Sequence, residues 1–230
     1  MCPVLTLALD CSARFCAAAL YEAETDRILA SASPDIGRGH AEQLPTIVAA
    51  VLAEAGLDLS RIDRIGVTVG PGSFAGIRVG VAFARGLSLA LGAPCVGVGS
   101  LEAIASPAAE LAGGPVMAVL DARRDHVWAL LVGSRGAVLE PAGELTPAAA
   151  AALALESKCE LIGSGAVLLS GIDESLASKI IADPVAPKIE DVARIAARLD
   201  PAANPPEPRY LREADAKPQT GFAVAHEVVD

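Results

Sequence analysis

The sequence has few aromatic side chains, and its basic residues are outnumbered by acidic ones. Aromatic residues make up 3% of the 230 positions, and 18 basic residues stand against 28 acidic ones, for a formal net charge of -10. Proteins that bind nucleic acid unaided usually present a basic surface and aromatic side chains for base stacking. This composition excludes an autonomous RNA-binding protein, so any action on RNA needs a second protein to hold it.

Long uninterrupted apolar runs are also missing. The most apolar stretch, after Ser73, contains Arg78 and Arg85, which predicts a soluble helix and not a membrane span. The first residues lead into a strand without the features of a secretory signal. An odd number of cysteines without CxxC spacing indicates reduced thiols, so we expect a cytoplasmic protein. The cysteines are Cys2, Cys11, Cys16, Cys95 and Cys159.

The two halves of the chain repeat one weak pattern of strands. In the first half, an apolar strand over 4–9 ends at Asp10, and a turn leads into a second apolar strand. In the second half, an apolar strand over 115–120 ends at Asp121 and is followed in the same way. Two related lobes around a nucleotide cleft are built on this plan, which makes an α/β fold of the actin-like ATPase type a candidate.

The pattern divides the chain into three parts. We expect an N-terminal lobe over 1–102, a C-terminal lobe over 103–202, and an extended tail over 203–230 that is rich in proline and charge. Arg209, Tyr210 and Arg212 give this tail a short basic and aromatic patch, which is too small to bind RNA unaided.

Two long helices are predicted in the first lobe, over 40–55 and 73–91. Their apolar residues recur with the 3.6-residue period, and a glycine follows each helix as C-cap. In the second helix, Gly76 and Gly80 are four residues apart. Interior glycine costs roughly 1 kcal/mol relative to alanine, so this spacing indicates close approach of another backbone. That backbone belongs either to the chain's own sheet or to a partner protein.

The second helix follows a strand and the glycine-rich turn Gly70-Pro71-Gly72, with Ser73 at the N-cap position. A strand, a glycine turn and a helix N-terminus together form an anion-binding corner, because free N–H groups point at one spot. Ser73 is therefore interpreted either as a plain N-cap or as a phosphate ligand.

Six segments in this order carry a family resemblance. They are Leu7–Ser12, Gly39–Pro45, Gly70–Gly80, Ser100–Ala105, Leu120–Arg123 and Pro208–Arg212. Together they are similar to the TsaB (YeaZ) family, the accessory subunit for tRNA threonylcarbamoyladenosine synthesis. The match covers nearly the whole chain.

The resemblance implies an actin-like (ASKHA, ribonuclease H-like) fold and two partners. TsaD, a longer sister, transfers the threonylcarbamoyl group to the adenosine beside the anticodon, and TsaE is an ATPase that joins the pair. The helices at 40–55 and 73–91 are implied to form a four-helix bundle with the partner. We expect a non-catalytic scaffold that forms a homodimer when alone and meets tRNA only through the complex. The expected interface residues are His40, Leu44, Ile47, Val51, Ser73, Gly76, Ile77, Gly80, Val81 and Ala84.

Departures from the sister's pattern argue against metal and peptidase chemistry. The sister resembles this fold with a His-x-x-x-His metal pair, but here His40 is followed four residues later by Leu44. The M22 glycoprotease label needs about three protein ligands and a base, which this chain does not supply. Pro71 also breaks the Gly-x-Ser-x-Gly pattern at Ser73. We expect no catalytic residue and no metal ligand; the competing hypothesis is a self-sufficient actin-like ATPase or M22-type peptidase.

Nucleotide binding is weakened in the same way. Asp10 is followed by Cys11-Ser12-Ala13 with neither glycine nor lysine, and Asp121 is followed by Ala122, so the backbone cannot approach phosphate closely. The two aspartates are interpreted as turn residues or as ligands of a hydrated cation. We expect no required cofactor, with ATP or ADP and Mg²⁺ held weakly or at a shared interface. The predicted vestigial phosphate contacts are Asp10, Ser12, Gly70, Gly72, Ser73, Asp121, Gly163 and Gly165.

Overall fold

The computed structural model describes residues 4–211. Each of two lobes is centred on a five-stranded sheet, with strand order β3-β2-β1-β4-β5 in the first and β8-β7-β6-β9-β10 in the second. The first sheet contains β1 (Leu5–Asp10), β2 (Ala17–Glu22), β3 (Arg27–Ala32), β4 (Arg64–Gly70) and β5 (Cys95–Gly99). The second contains β6 (Val116–Arg123), β7 (His126–Val132), β8 (Val138–Leu145), β9 (Glu160–Ile162) and β10 (Ile180–Ala182).

The two sheets share one topology. In each, the first three strands are antiparallel, and the last two run parallel to the first. Both lobes therefore have the order βββαβαβ, which confirms the predicted actin-like ATPase fold with two related lobes. The helices are α1 (His40–Ala55), α2 (Phe74–Leu91), α3 (Ser100–Ala112), α4 (Pro147–Ser157), α5 (Ala166–Ser170) and α6 (Ile189–Arg198).

The first sheet is covered on both faces. On one face α1 and α2 lie side by side and bury Leu44, Val51 and Ile77 in an aliphatic core. On the other face α6 packs against β1, β2 and β4. A methyl group at Gly66 of β4 would overlap the Ala196 side chain, so α6 lies directly on the sheet.

The last helix of each sequence half packs on the opposite lobe. Whereas α6 lies on the first sheet, α3 packs against β6 and β7 of the second. The boundary expected after residue 102 falls inside α3, and residues 189–198 belong in space to the first lobe. The two ranges 1–102 and 103–202 are therefore interlocked in space.

The predicted long helices form with the expected bounds. Ser73 is the N-cap of α2, where its Oγ accepts a hydrogen bond from the Gly76 N–H at 3.2 Å, and Gly92 ends the helix with φ of 68°. By length and composition alone α2 is apolar enough to cross a membrane. Its buried side packs against β4 instead.

The described part of the C-terminal tail is an extended segment over 203–211. The Asn204 carbonyl accepts from Gly97 N–H at 2.9 Å, and Arg209 N–H donates to the Val69 carbonyl at 2.7 Å. Leu211 packs against the hydrophobic cluster between α3 and the second sheet. This segment therefore crosses β5 and β4 and contacts both lobes, whereas the predicted tail residues 212–230, including Arg212, lie outside the described residues.

Candidate functional site

A cleft of about 870 Å³ opens between the two lobes. The loop after β1 and the start of α1 form one wall, the Gly70–Ser73 corner forms the floor, and the end of β6 faces them from the second lobe. Several residues predicted from the two halves of the sequence line it together. They are Ser12, His40, Gly72, Ser73, Gly76 and Asp121.

Asp10 lies beneath this cleft and is not part of its lining. Its side chain is 1% exposed, and Oδ1 accepts hydrogen bonds from Thr68 Oγ1 at 2.5 Å and from Ser12 N–H at 2.9 Å. Burial raises the pKa of Asp10 above its ordinary value, and the bonds from Thr68 and Ser12 oppose this shift without cancelling it. The carboxyl group therefore holds the end of β1 against β4.

Asp121 occupies the equivalent position in the second lobe but is turned to its own hairpin. Its Oδ1 accepts from the Arg123 N–H at 2.7 Å, and Oδ2 lies 3.2 Å from the Arg123 guanidinium. Ser164 Oγ accepts weakly from the Asp121 N–H at 3.4 Å. These bonds agree with the interpretation of Asp121 as a turn residue and not as a cation ligand.

The glycines predicted as phosphate contacts serve the packing of the chain itself. A methyl group at Gly72 would overlap the Ser12 carbonyl oxygen, and one at Gly163 would overlap the Val119 carbonyl oxygen. At Gly70 the methyl group would lie 2.7 Å from the Arg209 carbonyl oxygen, and at Gly165 it would lie 2.9 Å from the Leu120 carbonyl carbon. Close approach of neighbouring backbone explains all four glycines without a ligand.

These observations do not fit a nucleotide held through Mg²⁺. The Asp10 carboxyl is occupied by two internal donors, and Asp121 is paired with Arg123. Within residues 4–211, no three His, Cys, Asp or Glu side chains are grouped so that they share a metal ion. No chemical step is therefore assigned to a nucleotide or a metal at this cleft.

His40, which was predicted at the partner interface, lines the cleft. Its Nε2 lies 3.0 Å from the Ala13 carbonyl oxygen and 3.1 Å from the Phe15 carbonyl oxygen. Both neighbours accept only, so Nε2 carries the proton and donates to them. His40 therefore ties the loop after β1 to the start of α1.

Most of the other residues predicted at the partner interface face the chain's own sheet in this structure. A methyl group at Gly76 would overlap the Cys11 carbonyl oxygen, and one at Gly80 would contact Val67 and Cys11. The close backbone that Gly76 allows is thus the loop after β1, whereas the contacts at Gly80 are ordinary side-chain contacts. The buried members of the predicted set are Leu44, Ile47, Val51, Gly76, Ile77, Gly80, Val81 and Ala84.

The outward face of the same two helices carries a different set of small apolar residues. We call it the outer stripe. On α2 its residues are three or four positions apart, so they share one face. They are Ala75, Val79, Ala82, Gly86, Leu89 and Ala90 on α2, with Pro45, Thr46, Ala49, Ala50 and Ala53 on α1. All but Val79 are exposed, and Leu89 is 88% exposed.

Gly86 is the residue that sequence reasoning missed. It lies in the middle of α2, and a methyl group placed there meets no atom within 4 Å. Nothing in the described chain therefore requires glycine at this position, although glycine weakens a helix by roughly 1 kcal/mol relative to alanine. The signal that would have found it is the i, i+4 series Ala82, Gly86 and Ala90, on the face opposite Ile77 and Ala84.

Arg78, one of the two charges that interrupt the apolar run of α2, is engaged within the chain. Its guanidinium lies 3.8 Å from the Phe74 ring centre, and its Nε donates to the Tyr210 hydroxyl at 2.9 Å. The Phe74 and Tyr210 rings are 5.0 Å apart. This cluster holds the C-terminal segment against the first turn of α2. Arg209 also contacts the chain itself, because its guanidinium lies 3.5 Å from the Glu102 carboxylate.

Comparison with known proteins agrees with this architecture. The family model for TsaD, tRNA N6-adenosine threonylcarbamoyltransferase, matches residues 33–214. A solved Pseudomonas aeruginosa structure, described as similar to the peptidase YEAZ, superposes with a TM-score of 0.72 at 30% identity and covers 91% of this chain and 100% of that one. The chain belongs to the TsaB/YeaZ family.

Relatives by sequence agree with this assignment. The tRNA threonylcarbamoyladenosine biosynthesis protein TsaB of Haemophilus influenzae is 36% identical over 124 residues, which are 53% of this chain and 51% of that protein. The chain thus spans about half the length of this relative. An uncharacterized protein of Mycobacterium bovis is 35% identical over 188 residues, 79% of each chain.

Proposed function

We propose that this chain is a non-catalytic scaffold of the complex that forms threonylcarbamoyladenosine in tRNA. In this proposal it binds the catalytic sister TsaD through the outer stripe of α1 and α2, and TsaE joins the pair. Transfer of the threonylcarbamoyl group to the adenosine beside the anticodon takes place on TsaD. The complex works in the cytoplasm without a membrane, and tRNA is held by the complex and not by this chain alone.

The observation that carries the proposal is the open position at Gly86. Gly86 weakens the helix at an exposed face of small residues, and no atom of residues 4–211 lies close enough to require a glycine there. Small residues let a second helix approach closely and bury its apolar side chains. Leu89, which is mostly exposed in the isolated chain, would be buried by such an approach.

Charge on the two helices supports pairing between copies of related shape. Glu42 and Glu54 are exposed on α1, and Arg85 is exposed on α2. In the proposed two-fold arrangement we place α1 of one subunit against α2 of the other, which brings acidic side chains next to basic ones. The same face serves a homodimer when TsaD is absent.

The chemical role in this proposal is conformational. The helices of the outer stripe are fixed to the sheet by Leu44, Ile77 and Ala84, and α2 is fixed to the cleft wall by Gly76. A rigid face that binds only the productive shape of TsaD shifts the sister toward that shape. No cofactor is required for this role, and in this proposal ATP or ADP binds only where a partner completes the cleft, because Asp10 and Asp121 are already engaged within the chain.

The experiment measures TsaD binding by two variants that introduce the same side chain, arginine, at different exposed alanines. Ala82→Arg places a large cation on the outer stripe, and Ala152→Arg places the same group on an exposed position of α4 in the other lobe. We expect Ala82→Arg to abolish co-elution with TsaD and Ala152→Arg to retain it, with circular dichroism unchanged in both. Co-elution of both variants would exclude this face.

A second measurement addresses the competing hypothesis of a self-sufficient enzyme. The purified chain is incubated with ATP and Mg²⁺, and separately with a casein substrate, in the absence of partners. We expect no turnover above background in either assay. ATP turnover near about 1 s⁻¹, within the ordinary range of enzymes, would overturn the scaffold assignment.

A further inference from the structure

Cys11 and Cys16 form a close pair of thiols at the two ends of the loop that joins β1 to β2. Their Sγ atoms are 4.0 Å apart, and both residues are fully buried. The β1–β2 ladder ends with Asp10 paired to Ala17. Cys11 comes directly after Asp10 and Cys16 directly before Ala17, so the two cysteines face each other just beyond the ladder. Opposed residues of antiparallel strands have Cα atoms about 4.5–5.5 Å apart, within the range of about 4.4–6.8 Å that disulfides span.

The other described cysteines lack such a neighbour. Cys95 lies in β5, and Cys159 precedes β9, where its Sγ is 3.8 Å from the Ala154 carbonyl oxygen. Burial raises the pKa of each of these two thiols to about 11, which keeps them protonated and unreactive. They serve as internal controls for any reaction of the pair.

The two thiols of the pair are not equivalent. The hydrogen bond between them, with burial second, raises the pKa of Cys11, and the same hydrogen bond lowers the pKa of Cys16. Cys16 is therefore the first to form a thiolate, with Cys11 as the donor. The thiolate is the form of cysteine that reacts with peroxides.

The pair lies beside the interlobe cleft, separated from it by neighbouring residues of the loop. The loop that connects the two cysteines contributes Ser12, Ala13 and Arg14 to the lining of the interlobe cleft. The loop is anchored by the bond from Ser73 N–H to the Ser12 carbonyl at 2.6 Å and by His40, which bonds to Ala13 and Phe15. Arg14 adds a third anchor, because its carbonyl accepts from the Ile36 and Gly37 N–H groups and its guanidinium lies 2.7 Å from Asp35. Because both thiols are buried, their reaction with an oxidant requires local opening of this anchored loop.

We propose that Cys11 and Cys16 are a modification site that forms a reversible intrachain disulfide with hydrogen peroxide. The Cys16 thiolate attacks one peroxide oxygen, the O–O bond breaks, and hydroxide leaves, which gives a sulfenic acid on Cys16. The Cys11 sulfur then attacks the Cys16 sulfur and forms the S–S bond. The hydroxyl group leaves with the Cys11 proton as water, so two thiols lose two electrons and one peroxide becomes two waters.

The bond has a structural consequence for both sides of the loop. Cys11 supports α2, because its carbonyl oxygen faces Gly76 and its side chain faces Gly80. The loop between the cysteines is tied to α1 through His40. Closing the ring therefore stiffens the cleft wall and the base of both helices, and we expect slower amide hydrogen exchange over residues 12–16.

The test uses the purified full chain, treated with hydrogen peroxide, quenched in acid and alkylated under denaturing conditions. We expect one species lighter by two hydrogens, with two cysteines fewer alkylated, and a peptide map that joins Cys11 to Cys16. Dithiothreitol restores the reduced mass. Reaction of both cysteines with the alkylating agent after treatment would overturn the proposal, as would a disulfide between Cys2 and either member.

Single variants separate the pair from its surroundings. Cys11→Ala and Cys16→Ala abolish the cross-link, whereas Cys95→Ala and Cys159→Ala leave it intact. Circular dichroism confirms that each variant is folded. A cross-link that forms only after unfolding in urea would also refute a native site. The test uses neither TsaD nor tRNA, so its result is independent of the proposed scaffold function.

Discussion

The exposed glycine of the outer stripe makes a prediction in which stability and binding change in opposite directions. Gly86 lies inside α2, and a methyl group there meets no atom within 4 Å. Gly86→Ala therefore adds helix propensity and removes unfolded-state entropy without a steric penalty. We expect the free energy of unfolding to rise by about 0.5–1 kcal/mol.

Chemical and thermal unfolding measure this change. For a chain of this size, 1 kcal/mol corresponds to roughly 2–4 °C in Tm, so Gly86→Ala raises Tm by a few degrees at unchanged m-value. A matched pair extends the test to binding: Gly86→Leu fills the close-approach position of the stripe, and Ala152→Leu adds leucine at an exposed position of α4.

The binding result is expected to separate these two leucines. A leucine at this position would prevent the two helices from packing closely. We therefore expect Gly86→Leu to weaken both self-association and TsaD binding by more than about tenfold, or 1.4 kcal/mol. Ala152→Leu leaves both affinities unchanged. If Gly86→Ala lowers the free energy of unfolding, the position is not open. If Gly86→Leu binds like the unsubstituted chain, the outer stripe is not the interface.

Three further predictions follow from buried contacts and from the C-terminal segment. Gly76→Ala places a methyl group on the Cys11 carbonyl oxygen and is expected to lower the free energy of unfolding by about 1–3 kcal/mol or more, measured by urea titration; a stable variant would contradict the close contact. Because the folded pKa of Asp10 is raised, the native state holds its proton more tightly, so stability falls as pH rises from about 4 through the folded pKa. Asp10→Asn removes this slope, and equal slopes in pH-dependent unfolding of both proteins would refute it. Tyr210→Ala removes the ring contact with Phe74 and the hydrogen bond from Arg78, so we expect the free energy of unfolding to fall by about 0.5–1.5 kcal/mol and proteolysis after residue 203 to become faster. Arg27→Ala, at an exposed position of β3, is the control. Equal proteolysis rates in the two variants would show that Tyr210 does not hold the C-terminal segment in place.

Local signals in the sequence were sufficient for much of the fold. The 3.6-residue period, Ser73 and the terminal glycines fixed the two long helices, since capping and periodicity act within a few residues. The repeated strand–Asp–turn–strand pattern predicted two lobes of one topology. Strand β5 and helix α3 went unpredicted, because a short buried run such as Cys95–Gly99 has no periodicity to distinguish it.

The candidate site was predicted only in outline. Ser12, Gly72, Ser73 and Asp121 do meet at one cleft. Their roles followed from contacts that are distant in sequence: Thr68 and Ser12 occupy Asp10, and Arg123 occupies Asp121. A sequence shows which residues are able to bind a ligand, but not whether those residues already form hydrogen bonds or ion pairs within the folded chain.

By itself, the sequence determined the family, the two-lobed fold and the pair of helices at 40–55 and 73–91. Only the tertiary structure decided which way those helices face. Periodicity identifies an apolar side of a helix but not what covers it, and here the chain's own sheet and the Cys11 loop cover Gly76, Gly80 and Ile77. The face left exposed is the opposite one around Gly86, because a helix that buries one side in the core exposes the other.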